Sequence, residues 1–474
     1  MTGQVLRIAV QVLSVAILAR LLSPTDYGLL AMVAAVIGVA DIFRDFGLST
    51  AAIQAKTLSR QQRTNLFWIN SGIGLLLSVA VFLLAPVIAA VYARPALVEI
   101  AQVLSVTFLI NGVATQYRAD LNRKLDFSTL AVADVVSPLV ALAGAVWLAL
   151  NGAGLWALVG QQLIQYSVML GIVAWGARWL PGLPSTSTPM DGMLRFGWNI
   201  VSTQLINYVS NNADYFIIGL RSGAVALGNY SRAFQLLMNP LNQVRSPVTR
   251  IAIPVLAKLQ DDDVQYGTFL LRGQIAMGHS LGFILGIAAG AAVPITLLFL
   301  GGEEWSGVAP LLALLAAAGV FQTLAFVGYW VYVTRGLTHR LLQDTIFSSS
   351  VRIILIVLGS QWGVVGVAAG YALAPALTWP ATFWWLSRFT DIPTRGLYLG
   401  ALRIVFLSGV AAAASWLVAG WLAGAPAALA IVAALAGAAV ACAVVCAVLP
   451  PFRRDAQAII DVARRMVRRS ARRA

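Results

Sequence analysis

Three sets of polar residues have a spacing that could support chemistry. Gln4, Arg7, Gln11 and Ser14 recur at intervals of three, four and three. Thr203, Asn207, Asn211 and Asp214 recur at four, four and three. Arg232, Gln235, Asn239, Asn242, Ser246 and Thr249 recur at three, four, three, four and three, with Arg245 and Arg250 flanking. On helices each set occupies one face. A guanidinium fork matches phosphate oxygens, and Asn and Gln amides match sugar hydroxyls. A carboxylate such as Asp214 either balances an arginine or holds a coupling cation, and Asp41 and Asp45 are further candidates for ion coupling. The candidate substrate-binding set is Arg7, Gln11, Asn207, Asn211, Asp214, Arg232, Gln235, Asn239, Asn242, Arg245 and Arg250. It suits a diphosphate-linked, sugar-bearing lipid, and many other anionic amphiphiles would satisfy the same groups.

The elements that position these residues are membrane spans. The 474 residues are 59% hydrophobic and 11% charged, with a mean hydropathy of +0.83. A soluble domain is nearer half apolar and a quarter charged. Apolar runs of about 20 residues, each able to cross a bilayer, follow one another without period-2 alternation, so the spans are helices and not barrel strands. Fourteen are predicted: 4–22, 27–48, 66–92, 97–117, 128–150, 153–176, 196–220, 229–256, 268–300, 307–333, 341–359, 362–386, 398–422 and 426–449. The first begins abruptly, which leaves room for residues upstream. An ionisable group at mid-bilayer costs about 2.5–3.5 kcal/mol on insertion scales. Stripes of four to six polar residues therefore favour a wet cavity over a helix seam, where one or two would serve.

Every second connection is basic: Lys56, Arg60 and Arg63; Arg118, Arg123 and Lys124; Arg178; Lys258; Arg335 and Arg340; Arg388 and Arg395; then the tail from residue 451. The alternate connections are short and poor in cations, with Arg94 and Arg221 as the main exceptions. The positive-inside rule then puts both termini in the cytoplasm and accounts for most of the +14 net charge. The tail reads as a membrane-surface amphipathic segment. No stacking aromatics interleave its arginines, which argues against nucleic acid. Cys442 and Cys446, four apart in one span, suggest packing and no disulfide framework.

The chain also repeats. "VYARPALVEIAQVLSVTFLINGV" resembles "LFLGGEEWSGVAPLLALLAAAGV", "GAGLWALVGQQL" resembles "GVVGVAAGYAL", and the first span with its exit "SPTDYG" matches the seventh with "SGAVALG", at separations of about 200 to 211 residues. This predicts an all-α polytopic membrane protein in which two six-helix bundles, 1–180 and 194–390, form a parallel pseudo-repeat. Two added helices follow at 396–450, then a basic tail at 451–474. Parallel repeats with a site at their interface are a transporter pattern. Asp41 and Asp45 around Arg44 suit local ion pairing as well as transport, and a structural role is expected of His279. No P-loop and no H-E-x-x-H occurs, so neither nucleotide hydrolysis by a P-loop nor zinc hydrolysis is expected. No catalytic residue, metal or cofactor is assigned.

Specific strings carry a family resemblance. "ILARLLSPTDYGLLAMVAAV", "DFGLSTAAIQ", "YRADLNRKLDF" and "NADYFIIGLRSGAVALGNYSRAFQL" resemble the polysaccharide flippases of the MOP superfamily, WzxC-type branch. The resemblance implies two six-helix bundles around a cationic cavity. It implies export of undecaprenyl-diphosphate-linked oligosaccharide repeat units across the bacterial inner membrane by alternating access, for polysaccharide biosynthesis. Expected partners are the lipid-linked oligosaccharide, membrane lipids, and glycan polymerase and assembly proteins. One alternative is a cation-coupled multidrug exporter of the same superfamily, which the fourteen spans and arginine-bearing stripes disfavour. Another, of a different class, is a membrane glycan polymerase or glycosyltransferase, which needs a large outward loop that this chain lacks. A scaffold without transport would need no polar stripes.

Overall fold

The computed structural model describes residues 2–45, 59–185 and 191–459. Among them the chain forms fourteen α-helices and no strand. These are α1 (Thr2–Ala19), α2 (Pro24–Asp45), α3 (Arg60–Val91), α4 (Leu97–Arg123), α5 (Phe127–Leu150), α6 (Leu155–Ala177), α7 (Asp191–Lys258), α8 (Asp263–Gly290), α9 (Ala292–Phe299), α10 (Val308–Thr334), α11 (Thr338–Gly359), α12 (Gly363–Leu386), α13 (Thr394–Trp421) and α14 (Ala427–Val448). Ten stretches of the described residues are long and apolar enough to cross a membrane. One of them joins α11 and α12. The ten omit α7, whose polar stripes lower its hydropathy, and the shorter α1.

α7 runs for 68 residues but is broken at Gly223, where φ is 79° and ψ is −174°. The Tyr230 hydroxyl lies 2.6 Å from the Asp214 carboxylate. Sixteen residues of straight helix would separate the two by about 24 Å. The chain therefore folds back at Gly223 into two helices, α7a (191–222) and α7b (224–258), as expected of the seventh and eighth spans. The predicted ninth span, 268–300, is two helices, α8 and α9, which meet at Ala291.

The chain divides into two compact units, Met1–Ser231 and Arg232–Ala474. In the first, α3 and α4 pack antiparallel through backbone. A Cβ on Gly74 would lie 2.7 Å from the Phe108 carbonyl oxygen, and one on Gly112 2.7 Å from that of Asn70. Phe67, Tyr117, Leu121, Met169 and Val173 build an apolar cluster with Ala114, Leu130, Ala133 and Ala177. Asp120 anchors one end of this unit, with Arg63 at 2.8 Å and Lys124 at 2.6 Å.

In the second unit, Gly278, Gly282, Gly286 and Gly290 line one side of α8, and α13 lies against it in parallel. Added Cβ atoms would meet Ile404, Ser408 and Ala412 in turn, the last at 2.2 Å from its carbonyl oxygen. Small residues at four-residue spacing let two backbones approach, the way helices associate where water gives no hydrophobic drive. This contact fixes the first of the two added helices. Equivalent turns recur at the interval of the sequence repeat. Leu125 and Gly336, 211 residues apart, both have positive φ. Both precede a backbone N–H that bonds five residues back, Asp126 to Leu121 and Leu337 to Tyr332.

Candidate functional site

The helical stripes exist, but their side chains divide into accessible and committed groups. In the first unit the side chains of Arg7, Asn207 and Asp45 lie outside the described residues. Gln11 is half-buried. Its stripe neighbour Ser14 accepts a 2.9 Å hydrogen bond from Gln161 of α6. Asn211 is exposed and Asp41 half-buried. Tyr208 of α7a donates toward the carbonyl oxygens of Ala34 and Ala35 on α2, at 3.3 and 3.1 Å. It fits there because Gly38 has no side chain to block it.

Asp214 departs from expectation. A mid-span carboxylate on a polar face suggested contact with water and cations. In this structure Asp214 is 1% exposed. Its Oδ2 accepts the Tyr230 hydroxyl at 2.6 Å, and its Oδ1 accepts the Tyr215 backbone N–H at 3.0 Å. The rings of Tyr215 and Tyr230 meet edge to face at 5.6 Å. The fold-back at Gly223 supplies the partner. A buried carboxylate requires hydrogen bonds, and spacing along one helix could not show which distant hydroxyl would come round to meet it.

In the second unit the stripe on α7b is graded. Arg232 at its head is buried, Gln235 and Asn239 are half-buried, and Asn242, Ser246 and Arg250 are exposed. Arg245, expected to meet substrate, is turned to α10 instead. It is 4% exposed. Its Nη2 lies 2.7 Å from both the Gly319 carbonyl oxygen and the Thr323 hydroxyl, and its Nη1 lies 3.3 Å from Gln322. A guanidinium withdrawn from water has to find oxygen acceptors, and α10 provides three. At the far end of the stripe the Trp330 indole N–H reaches the Thr249 hydroxyl at 3.3 Å. Spacing along the chain does not point to Gln322, Thr323 and Trp330, whose partners are 77, 78 and 81 positions away.

Two further sets of charges are paired. Arg118 lies 3.4 Å from Asp134. His279 lies 3.2 Å from Asp455, which also receives Arg403 at 2.6 Å. The start of the basic tail is thus helical over 450–459 and turns its acidic residue inward. Among the described residues no cluster of His, Cys, Asp and Glu could hold a metal ion. Cys442 and Cys446 are free thiols.

On α7b a buried, partnered guanidinium, Arg245, thus accompanies a strip of half-buried and exposed amides. Residues 17–310 match the family of polysaccharide biosynthesis proteins. The chain belongs to that family. The lipopolysaccharide biosynthesis protein WzxC of Escherichia coli K12 is 26% identical over 381 residues, covering 78% of this chain and 75% of that one. The teichuronic acid biosynthesis protein TuaB of Bacillus subtilis is 31% identical over 293 residues, covering 60% and 59%. The succinoglycan biosynthesis transport protein ExoT of Rhizobium meliloti is 24% identical over 304 residues, 64% of this chain and 61% of the relative. In fold, the chain is similar to the lipid II flippase MurJ in an inward closed conformation, with a TM-score of 0.71 at 10% identity over 94% of this chain and 97% of MurJ. It is also similar to an inward-facing MATE multidrug transporter of the MOP superfamily, with a TM-score of 0.64 at 14% identity over 85% and 94%. The family member described here is an all-α, multi-pass membrane protein whose fold is similar to that of MurJ and the MATE transporter.

Proposed function

We propose that this protein is a flippase that moves undecaprenyl-diphosphate-linked oligosaccharide repeat units across the bacterial inner membrane by alternating access, for polysaccharide assembly. The carrying observation is the α7b face. Arg232 stands at its head, Gln235, Asn239, Asn242 and Ser246 follow, and Arg250 lies beyond them with its side chain exposed. Guanidinium groups can take phosphate oxygens through charge-assisted bonds, and the amides between them can take sugar hydroxyls. Relatives named for polysaccharide biosynthesis and transport support the same reading. The basic connections at Arg63, Lys124, Arg178, Lys258, Arg335 and Arg388 are assigned to the cytoplasm, with both termini. Two halves of related sequence, the predicted bundles 1–180 and 194–390, are assigned the rocking motion, with Asp214, Asp41 and Asp45 as candidates for coupling to an ion gradient.

The test is translocation of a labelled lipid-linked oligosaccharide in vesicles holding the purified protein, read by a membrane-impermeant quencher or lectin. Flipping at least 10-fold above protein-free vesicles is expected. Export of cationic drugs without movement of the glycolipid would replace this reading with that of a multidrug exporter.

A further inference from the structure

The opposite ends of the two units differ in charge in a way the positive-inside rule does not explain. The ends assigned to the outside comprise the segments near residues 20–23, 91–97, 150–155 and 221–225 in the first unit, and 290–308, 359–363 and 421–427 in the second. The first unit carries Arg20, Arg94 and Arg221 there. The second carries no Lys or Arg in its three segments, and has Glu303 and Glu304. Cations near span ends oppose outward placement, so three on one unit point to a use.

A cavity of about 490 Å³ opens at this end, lined by Thr25, Leu29, Arg94, Pro95, Ala96 and 222–225. Its volume falls in the roughly 300–1,000 Å³ range of ligand pockets. Arg94 lines it, and Arg221 directly precedes the lining Ser222. Thr25 and Ser222 add hydroxyls, and Leu29 and Val225 add an apolar side. The break at Gly223 shapes the wall: a Cβ there would meet nothing within 4 Å. Arg94 is held in place by its backbone. Its N–H bonds the Ala89 carbonyl oxygen at 2.9 Å across Ala93, which has a φ of 51°. The left-handed region is disfavoured for a non-glycine residue, and here it is occupied by the residue directly before Arg94.

We propose that this cavity is an outward-facing binding site for a lipid diphosphate headgroup, which receives it as it leaves the transport path. The proposal rests on the flippase reading. A diphosphate bears at least two negative charges and several oxygens, matched by the guanidinium fork of Arg94 and the Thr25 and Ser222 hydroxyls. A concave basic site also concentrates anions from the surrounding water, and the apolar side suits the first isoprenoid carbons.

The test uses the full chain in lipid nanodiscs carrying a Val225→Cys probe on the exposed apolar side of the cavity, labelled with an impermeant maleimide. Inorganic pyrophosphate, undecaprenyl diphosphate and phosphatidylglycerol are compared as protectants. The proposal expects pyrophosphate and undecaprenyl diphosphate to slow labelling at least 10-fold. That protection should be lost in Arg94→Gln and partly restored in Arg94→Lys. Protection that survives Arg94→Gln, or that only phosphatidylglycerol gives, overturns it. Arg94→Lys, with charge retained, also serves as the folding control. Wild-type vesicles separate the two readings. Translocation without Arg94-dependent protection defeats the cavity proposal alone, whereas protection without translocation defeats the flippase reading.

Discussion

The Tyr230 hydroxyl donates a 2.6 Å hydrogen bond to the Asp214 carboxylate, and both residues are buried. The bond ties α7a to α7b across the break at Gly223. It makes Asp214 part of a folded-back hairpin as well as a candidate for ion coupling.

Removing the donor should expose that dual role. Tyr230→Phe leaves a buried carboxylate short of a hydrogen bond, at a cost of about 1–3 kcal/mol. Asp214→Asn keeps the shape and removes the charge. Expected outcomes are a lower melting temperature in Tyr230→Phe, and lost transport at near-normal protein levels in Asp214→Asn. A double-mutant cycle read by detergent melting should show coupling between the two. Additive effects would mean that the bond contributes nothing.

Arg232 heads the α7b stripe from a buried position, and it is the substitution that bears on substrate. Arg232→Ala should lower glycolipid translocation at least 10-fold at matched expression. Arg232→Lys should recover only part, because an ammonium supplies charge without the bidentate fork. Gln235→Ala and Asn239→Ala should be milder and vary with the sugar. Surface polysaccharide and vesicle assays measure both effects, and full activity in Arg232→Ala would remove this residue from diphosphate binding.

Arg245 should behave differently from Arg232. Its guanidinium serves Gly319, Gln322 and Thr323. Arg245→Ala should cost stability of about 1.5–3 kcal/mol, typical of hydrogen bonds to a charged group, and Thr323→Val should cost less. A transport loss in Arg245→Ala with an unchanged melting temperature would return Arg245 to the substrate path.

The α8–α13 seam depends on missing side chains. Gly286→Leu would place a Cβ 2.5 Å from the Ser408 carbonyl oxygen, with the rest of the leucine still to fit. Overpacking of this kind costs about 1–3 kcal/mol or more. Gly409→Leu on α13 is the control, since a Cβ there meets nothing within 4 Å. Melting temperature and detergent-extracted yield should fall for the first variant and hold for the second.

Asp126 caps α5 outside the spanning region. Hydrogen bonds from the Ser128 and Thr129 side chains, with the Thr129 backbone N–H, hold its pKa down to about 2 from the ordinary 3.8. A depressed carboxylate contributes stability that is present above its unfolded pKa and is lost as pH falls through the folded one. The melting-temperature gap between wild type and Asp126→Ala should therefore be full above about pH 4 and close toward pH 2. A gap that stays constant over that range would contradict the cap.

The sequence by itself determined the fold class, the succession of apolar helices and the polar stripes, because apolar run length and helical spacing are local properties. It also showed the repeat, and Leu125 and Gly336 carry the repeat into matching turns. The strings around "NADYFIIGL" and "YRADLNRKLDF" sufficed for the family. Which stripe residues remain accessible was decided by tertiary structure. Arg245 and Arg250 lie five residues apart on α7b, yet one is committed to α10 and the other is exposed. The partners of Asp214, Arg245 and His279 come from a fold-back, from another helix and from the chain's tail. The energy of a buried charge depends on which oxygens or donors surround it, and chain separation does not encode that. The close approach of α8 to α13 along Gly278, Gly282, Gly286 and Gly290 also came from the tertiary structure, because close backbone packing is a property of two helices together.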